Sequence, residues 1–228
     1  MSLPCVSYYV DRYGNFGVVG VVLLVNAYSM QYFPSTVVVS YLTSCACIAA
    51  AISKGLKRAI KLPRPSGALK ASPGMPSNHA TSLSFLFLTT TYALQRYTDS
   101  AVTVRGVNQT LLRTPSLLPL SVSLVWPLQV LVAVYSLYAT GLRVTWGHHT
   151  VAQVCAGYVL GLLFAILSLA ANYSGYKGSR PGGRVDDLPL PMKVAILLTG
   201  ISISAMATHS IARGVRAACF TPTGPLLS

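Results

Sequence analysis

Six apolar runs, each near the length of a membrane-crossing helix, leave this chain little choice of fold. A hydrocarbon core about 30 Å thick is crossed by roughly 17 to 25 helical residues. Runs of that order occupy residues 16–33, 35–53, 80–96, 117–141, 151–171 and 192–210. The third is diluted by Thr81, Ser82, Ser84 and the threonines at 89–91, but hydroxyls can bond to the preceding turn of their own helix and so do not forbid a span. Soluble domains carry about 25% charged residues, whereas this chain is 9% charged and 53% hydrophobic. The sequence therefore predicts an all-α, polytopic integral membrane protein, a six-transmembrane-helix bundle forming a single domain over residues 1–228. No basic stretch and small-residue cleavage site marks a signal peptide, so the first run is expected to stay as a span.

What the chain lacks narrows its chemistry. Asp11, Asp99, Asp186 and Asp187 are the whole acidic set, and glutamate is absent. Most chemistry built on paired carboxylates or carboxylate-bound metal falls away, leaving His, Lys, Arg and hydroxyls. Cys45, Cys47 and Cys155 lie in apolar runs, where a thiol behaves as a small hydrophobe, and no disulfide framework or zinc site is readable. Neither a metal nor a cofactor is expected. The net charge of +13 calls for an anionic partner. Basic residues scattered between apolar runs suit membrane lipid or phosphate better than nucleic acid.

Three stretches carry the reactive side chains: Lys57 to Pro65, Pro76 to His79, and Arg143 to Gln153, each beside an apolar run. A phosphate ester needs cations or N–H groups on its non-bridging oxygens, an in-line nucleophile, and an acid for the leaving oxygen. Lys57, Arg64, Arg143, His79 and His149 can fill those roles. Counting crossings brings the stretches together: the second span exits where the third enters, and the fourth returns to that same face before the fifth begins. Three basic groups with no acidic neighbour in sequence repel one another, by roughly 3 kcal/mol for a pair 5 Å apart at moderate dielectric, and a phosphate would relieve that repulsion. Gln153 lies four residues after His149, so on a helix the two share a face, and its carbonyl oxygen can accept the Nδ1 proton and aim Nε2 outward.

The spacings carry a resemblance. Lys57 with Arg64-Pro65 has the K-x6-RP spacing, Pro76-Ser77-Asn78-His79 is similar to PSGH, and Arg143 with His149 has the R-x5-H spacing. Together they resemble the lipid phosphatases related to type 2 phosphatidate phosphatase, over a core of about residues 50–165. Gly74-Met75-Pro76-Ser77 and His149-Thr150 followed by Gln153-Val154 look most like the dolichyl diphosphatase branch, in which a glutamine stands where most relatives have aspartate. The resemblance implies a metal-independent phosphohistidine mechanism. His149 would attack phosphorus, His79 would protonate the leaving group and later activate water, and Gln153 would orient His149. Lys57, Arg64, Arg143 and the backbone N–H groups near Ser77 and Asn78 would hold the phosphate oxygens. The implied reaction is dolichyl diphosphate to dolichyl phosphate plus phosphate, serving dolichol recycling for protein N-glycosylation, in the endoplasmic reticulum with the site facing the lumen.

Two positions depart from the pattern: Asn78 replaces a glycine, as a residue tolerant of left-handed backbone, and Leu142 stands where relatives commonly have a phosphate-binding serine. Other readings stay open. The same residues would serve phosphatidate, sphingoid-base phosphate or a short isoprenyl diphosphate, or a non-catalytic lipid-phosphate-binding scaffold. Arg58 and Lys61 are assigned to the membrane surface, His148 to a structural role, and His209, Trp126 and Trp146 to packing or the interface. Basic residues outside the site divide evenly between the two faces, so the positive-inside rule does not orient the chain. With the site lumenal, the sequon Asn108-Gln109-Thr110 should stay unglycosylated.

Overall fold

The computed structural model of the chain describes residues 3–31, 33, 37–66, 68, 72–106, 122–173 and 184–220. These form six α-helices: α1 (Leu3–Met30), α2 (Val38–Ile60), α3 (Asn78–Gly106), α4 (Val125–Thr145), α5 (Val151–Asn172) and α6 (Leu190–Phe220). Short 3₁₀ turns precede α4 (Val122–Leu124) and α6 (Arg184–Asp187). Four segments are long and apolar enough to cross a membrane: α2, α4, α5 and Leu190–His209 of α6; Gly17–Met30 of α1 is apolar but shorter. The expectation of six spans is thus corrected to six helices, of which four meet the span criterion among the described residues. In α3 the hydroxyl residues lower the hydropathy below that of a clear span.

Helices overrun the apolar runs wherever nothing stops them. Extending a formed helix adds about one hydrogen bond per residue, whereas starting one is costly. α3 therefore continues to Gly106 through a proline-free segment, and α6 runs to Phe220. α2 carries Lys57 and Arg58 in its last turn, where cations suit the negative end of the helix dipole. It stops at Lys61, whose left-handed φ of 55° lets its N–H reach the Lys57 carbonyl at 3.1 Å. Lys61 is thus a helix cap.

The most extensive helix contact is between α3 and α5. A Cβ at Gly157 would run into the Ser77 backbone, and one at Gly161 into the Thr81 carbonyl and the Ser84 hydroxyl. Ser77, Thr81 and Ser84 are completely buried. In lipid there is little hydrophobic drive between helices, so small residues that let backbones approach supply the packing. Two of these hydroxyls are satisfied locally, Thr81 Oγ1 donating to the Ser77 carbonyl (3.0 Å) and Ser84 Oγ to that of Thr81 (3.2 Å). Phe85 fills the next layer with Ala49 and Ala165.

Polar ties link the remaining helices. Asn26 of α1 donates to Thr43 Oγ1 of α2 at 2.7 Å, Tyr41 of α2 to the Ser168 carbonyl of α5 at 3.0 Å, and Gln129 of α4 to the Thr91 carbonyl of α3 at 3.1 Å. At one end of the bundle Asp186 accepts from the Val37 N–H (2.7 Å) and Asn172 from the Val185 N–H (3.1 Å). The sequon at Asn108 lies outside the described residues. Residues 61–66, 72–77 and 146–150, which hold much of the candidate site, meet at the other end.

Candidate active site

Two caps placed back to back fix the turn that carries His149. α4 ends in a Schellman motif: Gly147 takes φ +67°, its N–H donates to the Val144 carbonyl (2.9 Å), and the His148 N–H donates to the Arg143 carbonyl (3.0 Å). A side chain at 147 would be strained there. Three residues later α5 opens with a capping box. Thr150 Oγ1 accepts the Gln153 N–H at 3.3 Å, and Gln153 Oε1 accepts the Thr150 N–H at 3.2 Å. His149, between the caps, also donates its N–H to the Arg143 carbonyl at 3.0 Å.

The His149 ring is only 3% exposed and has a partner on each nitrogen. Nδ1 is 3.2 Å from Gln153 Oε1, and Nε2 is 3.2 Å from Arg64 Nη1. A guanidinium has no acceptor, so Nε2 must bear the lone pair and Nδ1 the proton, which it donates to Gln153. Electrostatics favour the same neutral ring. Burial, then the Arg64 charge, push its pKa down to about 4, with Lys57 and Arg143 adding to the effect and the Gln153 hydrogen bond opposing it. Arg64 is itself lowered, by burial and then by Arg143.

Gln153 organises the neighbouring loop as well. Its Nε2 donates to the Pro63 carbonyl at 2.7 Å, placing Arg64 beside His149. Arg64 is held further by the carbonyls of Ser72 (3.0 Å) and His148 (2.9 Å), and the Gly74 N–H closes the loop on the Leu62 carbonyl at 2.8 Å. Gly74 must lack a side chain, since a Cβ there would lie 2.5 Å from the Gln153 amide. The Met75-Pro76 peptide is cis.

Two expectations about this loop are corrected. The Ser77 N–H does not face outward as a phosphate donor. It donates to the Gln153 carbonyl at 3.0 Å, docking α3 onto α5; the Ser77 hydroxyl is buried and has no hydrogen-bond partner among the described residues. Asn78 needs no left-handed backbone. It begins α3, and its Oδ1 accepts from Ser53 Oγ at 2.6 Å.

The largest surprise concerns Arg143. Far from being unpaired, its Nη1 donates to both oxygens of Asp11 at 3.0 Å, across 132 residues of sequence. His148 Nε2 lies 3.2 Å from Asp11 Oδ2. Sequence reasoning missed Asp11, although crossing counts place it as the single acidic residue in the sequence on the site's face. Asp11, Arg143 and His79 line a small cleft with Val10, Leu83 and Tyr135. Lys57, in the last turn of α2, is near enough for its charge to reach His149. Leu142 is buried, and its carbonyl accepts the Trp146 N–H. No group of three His, Cys, Asp or Glu side chains converges among the described residues.

Fold and site together define a helical membrane protein with a buried histidine, two arginines and a glutamine at one end. Its similarities point the same way. The chain is 33% identical over 117 residues to lipid phosphate phosphatase epsilon 1, chloroplastic, of Arabidopsis thaliana, covering 51% of this chain and 34% of that protein. It is 28% identical over 116 residues to lipid phosphate phosphatase epsilon 2, chloroplastic, of the same plant, covering 51% and 33%. The chain thus spans about a third of the length of these curated relatives. No family model matches the chain, and no solved structure matches it.

Proposed function

We propose that the chain is a lipid phosphate phosphatase working through a phosphohistidine on His149. The observation that carries this reading is the His149 ring itself. Its proton is held on Nδ1 by Gln153, and its Nε2 lone pair meets a guanidinium at 3.2 Å. A nucleophile in its reactive form thus lies beside a cation able to bind the group it attacks.

In the first step Arg64 moves from Nε2 onto a phosphate oxygen, with Lys57 and Arg143 supplying further positive charge. Nε2 attacks phosphorus, the bond to the leaving oxygen breaks, and His79 donates the proton that oxygen needs. Water then attacks the phosphohistidine and passes a proton to His79, which releases inorganic phosphate and restores both rings. Gln153 keeps the Nδ1 proton throughout.

Two substrate classes have support. The Gly74 to Ser77 segment and Gln153 favour dolichyl diphosphate, which goes with dolichol recycling and a site on the lumenal face of the endoplasmic reticulum. The two relatives, lipid phosphate phosphatases described as chloroplastic, favour a lipid phosphate monoester such as phosphatidate. Phosphate release by purified protein in detergent with excess chelator separates them, using dolichyl diphosphate, dolichyl monophosphate and phosphatidate. His149→Ala is expected to lower release by about 10⁴-fold or more. Full activity in that variant would overturn the mechanism, and the preferred lipid decides the class.

A further inference from the structure

We propose that Asp11 is a positioning residue of this site, acting through Arg143, and that α1 is thereby part of the phosphate-binding machinery. The proposal rests on the phosphatase reading above. Asp11 and Arg143 are nearly buried, with side chains 7% and 12% exposed. Both carboxylate oxygens grip the same nitrogen, Arg143 Nη1, at 3.0 Å, and Oδ2 also meets His148 Nε2 at 3.2 Å. A guanidinium held by one terminal nitrogen is anchored at that end while its other N–H groups stay available.

One of these is the telling atom. Arg143 Nε is buried and has no hydrogen-bond partner among the described residues. Buried guanidinium N–H groups are rarely left without an acceptor, so this one suits an acceptor that arrives with a ligand. Arg143 also lines a small cleft with Asp11, His79, Val10, Leu83 and Tyr135. That mixture of polar and apolar groups suits a phosphate carried on a lipid. The Arg143 carbonyl meanwhile holds the N–H groups of His148 and His149 at 3.0 Å, so the anchored guanidinium and the turn bearing the nucleophile share one residue.

A carboxylate near an anion site could act in two opposed ways. If it merely lowers the local positive potential, removing its charge should tighten anion binding. If it positions Arg143, removing it should loosen binding. Orthovanadate, a phosphate mimic, is the probe, its affinity read from protection of the detergent-purified full chain against thermal unfolding. Asp11→Asn is expected to raise the vanadate Kd by about tenfold, Asp11→Glu to recover part of the loss, and Asp11→Asn in an Arg143→Gln background to add nothing. Unliganded midpoints report folding of each variant separately. Unchanged or tighter binding by Asp11→Asn, or a loss that persists in the Arg143→Gln background, would overturn the role of Asp11 and leave the phosphatase reading standing. Absence of vanadate protection in the wild-type protein would overturn both.

Discussion

Helices α3 and α5 meet almost backbone to backbone, whereas α1 touches α4, α6 and α2 over much smaller contacts. The contrast assigns different duties to the two regions. His149 and its partner Gln153 stand at the start of α5, where Gly157 and Gly161 press against α3 and the Ser77 N–H locks onto the Gln153 carbonyl. Asp11, which engages Arg143, comes from the lightly held helix. The His149 ring is thus oriented by the closely packed pair, whereas Arg143 is engaged from a helix with few other attachments. If Asp11 positions Arg143, that position depends on how firmly α1 is seated.

The largest expected break comes from Gly161→Leu. Its side chain would occupy the space of the Thr81 carbonyl and Ser84 hydroxyl, so stability in detergent should fall by about 3 kcal/mol, and phosphate release should fall with it. A variant that unfolds like the wild type would show that the α3–α5 contact is looser than this packing requires.

Gln153→Glu tests the same region with less disruption. In the wild type, burial and then Arg64 hold the His149 pKa down to about 4, from 6.5, so the folded ring stays mostly neutral over that interval. Placing a carboxylate on Nδ1 should raise that pKa and move the acid limb of kcat/KM upward by about one pH unit or more. The same depression has a sign for stability. An unfolded chain takes up the proton near 6.5 and the folded one only near 4, so the contribution of His149 is complete above 6.5 and is lost as pH falls toward 4. Unfolding midpoints of wild type and His149→Ala measured across that window should converge toward its acid end.

The smallest expected effect sharpens the other side of the contrast. Asn26→Leu removes the bond from α1 to Thr43 of α2 and should cost about 0.6 kcal/mol, with phosphate release close to wild type. A large loss of activity would mean that the placement of α1 depends on Asn26 as well as on Asp11.

Much of this arrangement was legible in the sequence because the length and order of apolar runs are coarse signals. The run lengths gave six helices that alternate in direction, which brings Arg64, His149 and Gln153 together at one end, although only four of the helices meet the span criterion among the described residues. The Gln153 hydrogen bond to Nδ1 was legible too, since four-residue spacing at a helix start is local geometry. The Asp11–Arg143 pair was not, because it is made by two helices packing and no local spacing encodes it. The engagement of the Ser77 N–H was hidden for a similar reason, as it depends on Gly157 permitting close approach. Helix ends were misjudged where a helix runs on past its apolar stretch, as α1 does toward Leu3 and α3 toward Gly106.

The amide at Gln153 has a consequence that its comparison with aspartate obscures. A carboxylate could accept the Nδ1 proton but could donate nothing to the Pro63 carbonyl, which here receives the Gln153 Nε2–H at 2.7 Å. Because one planar group serves both, the aim of the histidine and the position of the Arg64 loop are geared together. Displacing the Pro63 carbonyl would turn the amide and slacken the grip on Nδ1, so the orientation of the ring depends on where Pro63 and Arg64 sit.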